Sequence, residues 1–251
     1  HGTPLRQGNH TSCEAGKMSA SYKKWLESKL AKLDAIDCNS AGASPETIAK
    51  QIGVSPSEIV KLNFNESLFV NRGAQAKLMK ELADEIDLRL YPEDEVPKFL
   101  FKLAGYIGAP EDYLVVGNGS DELIDRIVRL FVEEGEIMLS FAPTFSLPKI
   151  CIKRQQGEFT AIPLLSNLQL DVKGIQSKFS DKTRLLYLCS PNNPSGNSLN
   201  RDAMLEIIQN FAGLVIVDEA YIDFAPGKSF LPELEKYPNL VILQTFSKAW
   251  G

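Results

Sequence analysis

Histidine is nearly missing from this 251-residue chain: the only 2 are His1 and His10, both within the first ten positions. Beyond them, no Ser-His-Asp triad, Cys-His pair or histidine-rich metal site can be assembled, because each needs an imidazole as base or ligand. Cysteine is scarce as well. The 4 present, Cys13, Cys38, Cys151 and Cys189, lie far apart and form no C-x-x-C pair. That disfavours a disulfide scaffold or zinc knuckle and favours a reduced, cytoplasmic protein. Positive charge is not in excess either: the formal net charge is −5, so no chain-wide cationic field exists to hold a nucleic acid. No apolar run approaches the roughly 20 residues that span a bilayer, and no basic-then-apolar start reads as a secretion signal. Asn9-His10-Thr11 fits a glycosylation sequon, with no other sign of export beside it. The expectation is a protein with neither nucleic-acid nor membrane partners. Its chemistry must come from lysine, tyrosine, carboxylates or a cofactor.

At 44% hydrophobic residues the chain can bury one large core, with or without a small second domain. Residues 1–17 are small and polar and read as a leader, with Met18 a candidate start. Ser21 to Leu33 carries Tyr22, Trp25, Leu26, Leu30 and Leu33 among lysines, the period of an amphipathic helix. Thr47 to Ser55, followed by Ile59, has helix-turn-helix spacing, with Ala49 in the first helix, Gly53 at the turn and Ser55 as cap. The second helix this implies, Pro56 to Leu62, offers no arginine or glutamine for base edges. Two short packed helices are the favoured reading, and a DNA-binding regulator the competing one.

From Leu114 onward apolar, β-rich runs alternate with helical patterns. Leu114–Val116, Ile137–Phe141, Phe159–Pro163, Arg184–Cys189, Gly213–Val217 and Leu240–Gln244 read as strands; Asp121–Glu133 and Arg201–Phe211 are the clearest helices. Alternation of this kind predicts an α/β fold: a mainly parallel mixed sheet sandwiched by helices. Ligands of such sheets bind beyond the carboxyl ends of the strands, where the polar motifs fall. Gly117-Asn118-Gly119-Ser120-Asp121-Glu122 opens a helix after a β-rich run and offers free N–H groups to a phosphate. It is neither a dinucleotide fingerprint nor a P-loop. Asp218 ends the run Leu214–Val217, and a buried carboxylate there needs a partner or a role. A pyridine nitrogen is such a partner. Asn193 and Tyr221 suit hydrogen bonds to a phenolic oxygen. Lys248, flanked by the hydroxyls of Thr245 and Ser247, is the candidate amine for a cofactor aldehyde and for moving an α-proton. Spacings of 25 residues from Asn193 to Asp218 and 30 from Asp218 to Lys248 leave room for a connection and another strand each time.

Taken together, Ser190–Gly196, Val217–Phe224 and Gln244–Gly251, with Leu62–Glu66, Tyr91-Pro92-Glu93 and Gly117–Glu122, resemble the fold-type I, pyridoxal-phosphate-dependent aminotransferases. Among these the histidinol-phosphate aminotransferases are most similar, over about Ser44 to Gly251. The resemblance implies pyridoxal 5′-phosphate as cofactor, with Lys248 the aldehyde-binding and proton-moving lysine, Asp218 on the pyridine nitrogen, and Asn193 and Tyr221 on the phenolic oxygen. It implies a phosphate site of Gly119, Ser120, Asp121, Thr245 and Ser247, with Phe145 stacked on the ring. It also implies Tyr91 reaching the phosphate of a partner subunit, hence a homodimer. The implied division is a leader and amphipathic helix over 1–43, an arm and part of a small domain over 44–90, and a large cofactor-binding domain over 91–251. The rest of the small domain, with two family arginines, is expected beyond residue 251. Glutamate and imidazole acetol phosphate are the implied small-molecule substrates. Phe145 stands where tyrosine is usual, Pro148 where a second aromatic is common, and Ser67-Leu68 where Asn-Pro is familiar. These departures keep threonine-phosphate decarboxylase and aromatic aminotransferase activities open. Outside that chemistry stand a helix-turn-helix regulator with an aminotransferase-like sensor and a catalytically silent segment.

Overall fold

A serine followed by proline is a strong helix start, because the hydroxyl caps a free N–H and the fixed proline φ suits the first turn. The computed structural model, which describes residues 20–34, 43–87 and 89–251, shows this twice. Ser44 accepts from Thr47 N at 3.3 Å ahead of helix α2, Pro45–Ile52 (α1 is described below). Gly53 ends that helix in the left-handed region at φ 76°, as a residue without Cβ readily does. Ser55 and Glu58 then form a reciprocal capping box around a 3-10 turn of three residues, Pro56–Glu58. Ile59 is already extended, so the expected second helix to Leu62 is absent. The β-branched pair Ile59-Val60 favours extended backbone, and Val60 and Leu62 stand exposed. Pro56–Leu62 therefore forms no recognition helix, and the spacing that motivated the regulator reading has no second helix behind it among the described residues.

The chain divides into two units, His1–Cys38 and Asn39–Gly251. The described part of the first is helix α1, Ala20–Asp34, matching the expected Ser21–Leu33 within a residue at each end. Tyr22 and Trp25 meet on it with ring centroids 5.2 Å apart. His1, His10, Cys13, Met18, Cys38 and the sequon lie outside the described residues.

In the second unit α2 is followed by α3, Arg72–Glu85, α4, Glu95–Ile107, and α5, Gly119–Phe131. Then come strand β1, Ile137–Ala142, helix α6, Leu147–Arg154, strand β2, Glu158–Pro163, and helix α7, Val172–Gln176. Strand β3, Thr183–Cys189, helix α8, Arg201–Asn210, and strands β4, Leu214–Asp218, and β5, Leu240–Leu243, complete it. The strand expected at Leu114–Val116 is instead irregular chain after a 3-10 turn, Glu111–Tyr113. Val115 is 74% exposed, so the run has no buried face to reward pairing.

The sheet order is β2-β1-β3-β4-β5, and every pairing is parallel. No antiparallel strand of a mixed sheet occurs among the described residues. Leu185–Cys189 and Val215–Asp218 are buried at successive positions, which requires cover on both faces. Ile124 and Val128 of α5, Ile152 of α6, Ile175 of α7, and Met204 and Ile207 of α8 join the core that supplies it. Each such side chain contributes roughly 1.5–3 kcal/mol on burial. The chain moves outward from β1 to β2, then returns to β3 on the other side of β1. Sheets with such a reversal take ligands beyond the carboxyl ends of the two strands that flank it, here β1 and β3.

Candidate active site

The run Leu214-Val215-Ile216-Val217 makes β4 a central strand and delivers Asp218, 2% exposed, to its carboxyl end. Asp218 Oδ1 accepts from its own turn at Ala220 N, 2.9 Å. Oδ2 accepts from the phenolic hydroxyl of Tyr187 on β3. The register aligns Tyr187 with Ile216 and Cys189 with Asp218, so the two-residue period puts Tyr187, Cys189 and Asp218 on one face of the sheet. Burial pushes Asp218 above the usual carboxylate range; the Tyr187 and Ala220 hydrogen bonds oppose it, Asp121 adds to it and Lys248 opposes it. A buried carboxylate held by neutral donors alone still lacks a close counter-charge.

Lys248 follows β5, half-buried. Its Nζ donates to Phe64 O at 3.3 Å and lies 5.8 Å from the centre of the Tyr221 ring. Tyr221, three residues after Asp218, accepts at its hydroxyl from Asn65 Nδ2, 2.8 Å away. That leaves the Tyr221 proton free to be donated elsewhere. Asn65 has φ 53°, a conformation asparagine tolerates better than most residues. The segment 63–66 thus reaches the ends of β4 and β5.

The third component is the start of α5. Its cap residue Asn118 makes no side-chain capping bond, but Asn118 N donates to the Glu122 carboxylate and Gly119 N to Gly117 O at 2.9 Å. The N–H groups of Ser120 and Asp121 are the first-turn donors left for an anion. Gly119 sits at φ 76°, and a Cβ built there would stand 3.8 Å from Ser247 Oγ. Thr245 Oγ1 donates to Ser247 Oγ at 3.0 Å and accepts from Ser247 N at 3.2 Å. The loop after β5 therefore presents two hydroxyls beside the helix end, with buried Ser120 next to Gly119.

Gly119, Ser120, Asp121, Asp218, Tyr221, Thr245, Ser247 and Lys248 are thus gathered at one end of the sheet. Asn193 comes near through its backbone, which opposes the rise of the Cys189 thiol to about 12 under burial and then Asp218. Phe145 packs against the core from the loop after β1. Tyr91 is 90% exposed and joins none of these contacts.

Four further residues shape the site without having been singled out for it. Asn192, 2% exposed, bridges the loops after β1 and β3: its Nδ2 donates to Pro143 O at 3.0 Å, and its Oδ1 accepts from Thr144 at 3.0 Å. Glu219, 1% exposed, accepts from Phe230 N, Ser229 Oγ and Gln244 Nε2. Asn65 and Tyr187 hold Tyr221 and Asp218. Tyr187 carried a signal, since a phenol inside a strand as apolar as Leu185–Cys189 must find a partner.

Comparison with known proteins gives the family. The description of aminotransferase class I and II covers residues 57–251. The histidinol-phosphate aminotransferase of Parabacteroides distasonis is 40% identical over 162 residues, 64% of this chain and 47% of that protein. That of Methanocaldococcus jannaschii is 32% identical over 215 residues, 84% of this chain and 57% of that protein. The chain spans about half the length of these curated relatives. The crystal structure of histidinol-phosphate aminotransferase from Sinorhizobium meliloti in complex with pyridoxal-5′-phosphate superposes with a TM-score of 0.72 at 26% identity, over 84% of this chain and 58% of that one. With the match extending across most of its length and through every element of the site, this chain belongs to the aminotransferase class I and II family.

Proposed function

We propose that this chain carries the cofactor site of a pyridoxal 5′-phosphate-dependent aminotransferase that passes an amino group from glutamate to imidazole acetol phosphate, the histidinol-phosphate transaminase reaction of histidine biosynthesis. The observation that carries it is the Lys248 amine, held beside the Tyr221 ring and within electrostatic reach of buried Asp218. The donor set fits the cofactor at both ends. A buried anion without a close counter-charge suits a protonated ring nitrogen, and the start of a 13-residue helix with two neighbouring hydroxyls suits a phosphate.

When bound, pyridoxal 5′-phosphate supplies an electrophilic aldehyde and an electron-withdrawing ring that lets an amino acid α-carbon release its proton. Asp218 keeps the ring nitrogen protonated by pairing with it. Tyr221, already accepting from Asn65, donates its own hydroxyl proton toward the cofactor's phenolic oxygen, and Asn193 adds a second donor. The first-turn N–H groups of Ser120 and Asp121 and the hydroxyls of Thr245 and Ser247 would hold the phosphate, with Gly119 letting the backbone come close, and Phe145 would bear on the ring. Lys248 Nζ would be the amine that holds the cofactor's aldehyde end, and when free it would serve as the base that takes and returns the substrate's α-proton. In this reading 91–251 is the large domain, 44–90 belongs to the arm and small domain, and the enzyme is a cytoplasmic homodimer in which Tyr91 serves the partner's phosphate.

The test is titration of the purified protein with pyridoxal 5′-phosphate, followed by visible absorption. A saturable band is expected, lost in Lys248→Ala; no band in the wild type overturns the reading. Half-reactions with glutamate and histidinol phosphate are expected to outpace those with threonine phosphate or aromatic amino acids. The reverse order moves the assignment within the family. Sedimentation should give a dimer.

A further inference from the structure

The mechanism above leaves one buried polar contact unexplained. Tyr187 is fully buried in β3, yet its hydroxyl is spent on Asp218 Oδ2 rather than on backbone. Its neighbours in β3, Leu185, Leu186 and Leu188, are apolar and equally buried, so a leucine or phenylalanine would serve packing without bringing a polar atom inside. Asp218 takes its remaining hydrogen bond from Ala220 N, at Oδ1. The carboxylate is thus fixed by one donor at each oxygen, one from its own turn and one from the adjacent strand.

We propose that Tyr187 is a positioning residue for Asp218, its hydroxyl fixing the carboxylate's orientation and favouring the ionised form that pairs with the cofactor's ring nitrogen. This rests on the reading of the site given under Proposed function. A donated hydrogen bond stabilises a carboxylate more than the corresponding acid. Tyr187 therefore weakens the attraction of Asp218 for a proton and leaves that proton on the ring. The other groups facing Asp218 are Cys189 from β3, Asp121 from α5 and Lys248 after β5. Asp121 raises its proton affinity and Lys248 lowers it. Cys189 stays an uncharged thiol at neutral pH, being pushed up to about 12 by burial and Asp218. Tyr187 is thus the only neutral side chain among them that both touches the carboxylate and opposes its protonation.

The experiment is Tyr187→Phe, which removes one oxygen and keeps the ring, in protein loaded with cofactor labelled with 15N at the ring nitrogen. A hydrogen bond to a charged group corresponds to roughly tenfold or more in such an equilibrium. The ring-nitrogen resonance is therefore expected to move toward the unprotonated position, with proton sharing shifted on the order of tenfold toward Asp218. The cofactor dissociation constant should rise in parallel below neutral pH. Incorporation of fluorotyrosine at position 187, a stronger donor of the same shape, should move the resonance the opposite way, and it serves if Tyr187→Phe fails to fold. A resonance and pH midpoint unchanged from wild type in either variant would overturn the proposal. Failure of the wild type to take up cofactor would instead overturn the function on which it rests.

Discussion

Replacing Glu219 tests whether the ends of β4 and β5 are tied together by the hydrogen bonds of one buried carboxyl group. Its carboxylate holds Phe230 N at 2.6 Å on Oε1, and Ser229 Oγ and Gln244 Nε2 each at 2.8 Å on Oε2. Glu219→Ala strands the Phe230 N–H, whose backbone cannot turn away, at a cost of about 1–3 kcal/mol. Ser229 and Gln244 can rotate toward other partners, but the lost side chain leaves a small cavity, raising the expected total to about 3–4 kcal/mol. That is a large share of the roughly 5–15 kcal/mol that holds a typical domain together. Glu219→Gln keeps the shape and can re-pair after two amide or hydroxyl rotations, so it should cost about 1 kcal/mol near pH 5. Burial pushes Glu219 above its usual range despite the opposing donors, Gln244 first, and Arg201. Its folded-state pKa is thus above the unfolded one. Stability from this group is complete below the unfolded value and is lost as pH rises through the folded value. Glutamine does not titrate, so the gap between wild type and Glu219→Gln should narrow as pH rises. Urea denaturation of cofactor-free protein at pH 5 and pH 8 measures both effects. An alanine variant within about 1 kcal/mol of wild type, by the same measure, or a glutamine gap that widens with pH, would refute the reasoning.

Gly213→Ala should destabilise by about 1–3 kcal/mol, because its Cβ would stand 2.5 Å from Arg184 O and 2.8 Å from Phe211 ring atoms; a thermal melt no lower than wild type would contradict the packing at the start of β4. Asn65→Ala removes the donor to Tyr221 and leaves an alanine at φ 53°. Its cofactor affinity should fall several-fold, roughly the worth of one neutral hydrogen bond, and Asn65→Ala should have little effect when introduced into Tyr221→Phe. Cys151 and Cys189, pushed up to about 11 and about 12 chiefly by burial, should resist alkylation at pH 8 in the native protein and react on unfolding, as read by peptide mass mapping.

The sheet was legible because its central strands are buried on both faces and read as unbroken apolar runs, with Leu185–Cys189 and Leu214–Val217 the clearest. Leu114–Val116 has the same residue types yet forms no strand. Burial by neighbours decides that, and three residues say nothing of it. The failed second helix at Pro56–Leu62 shows the same competition at shorter range: the Ser55–Glu58 box closes one turn, and Ile59-Val60 turn the chain away. Within the site, Asp218, Tyr221, Thr245, Ser247 and Lys248 stood out because each polar group follows an apolar run. Asn192 and Glu219 did not, since adjacent positions in Asn192-Asn193 and Asp218-Glu219 differ only in the direction of the side chain. In the first pair burial separates the two: Asn192 turns inward to bind loops and Asn193 stays half-buried. In the second both side chains are buried, and partners separate them, Glu219 binding Phe230, Ser229 and Gln244, and Asp218 binding Tyr187 and Ala220.

Position along the strand explains why so costly a group as Asp218 is kept inside. One residue earlier the side chain would face the opposite side of the sheet, and one later it would leave the strand for the turn. At 218 it shares a face with Tyr187 and Cys189 and lies within electrostatic reach of both Asp121 and Lys248. Two anions and one cation so placed favour a ligand that is positive at the end meeting Asp218. The helix end beside Ser247, with the Thr245 and Ser247 hydroxyls, favours one that is negative at the other. A ring cation carrying a phosphate meets both requirements, and a simple anion meets only one. Inorganic phosphate should therefore compete for the α5 end of the site with wild-type strength in Asp218→Asn, while pyridoxal 5′-phosphate binding is lost by tenfold or more, roughly the loss expected when a charged hydrogen bond is removed. Equal loss of both ligands would mean that the two ends are not independent.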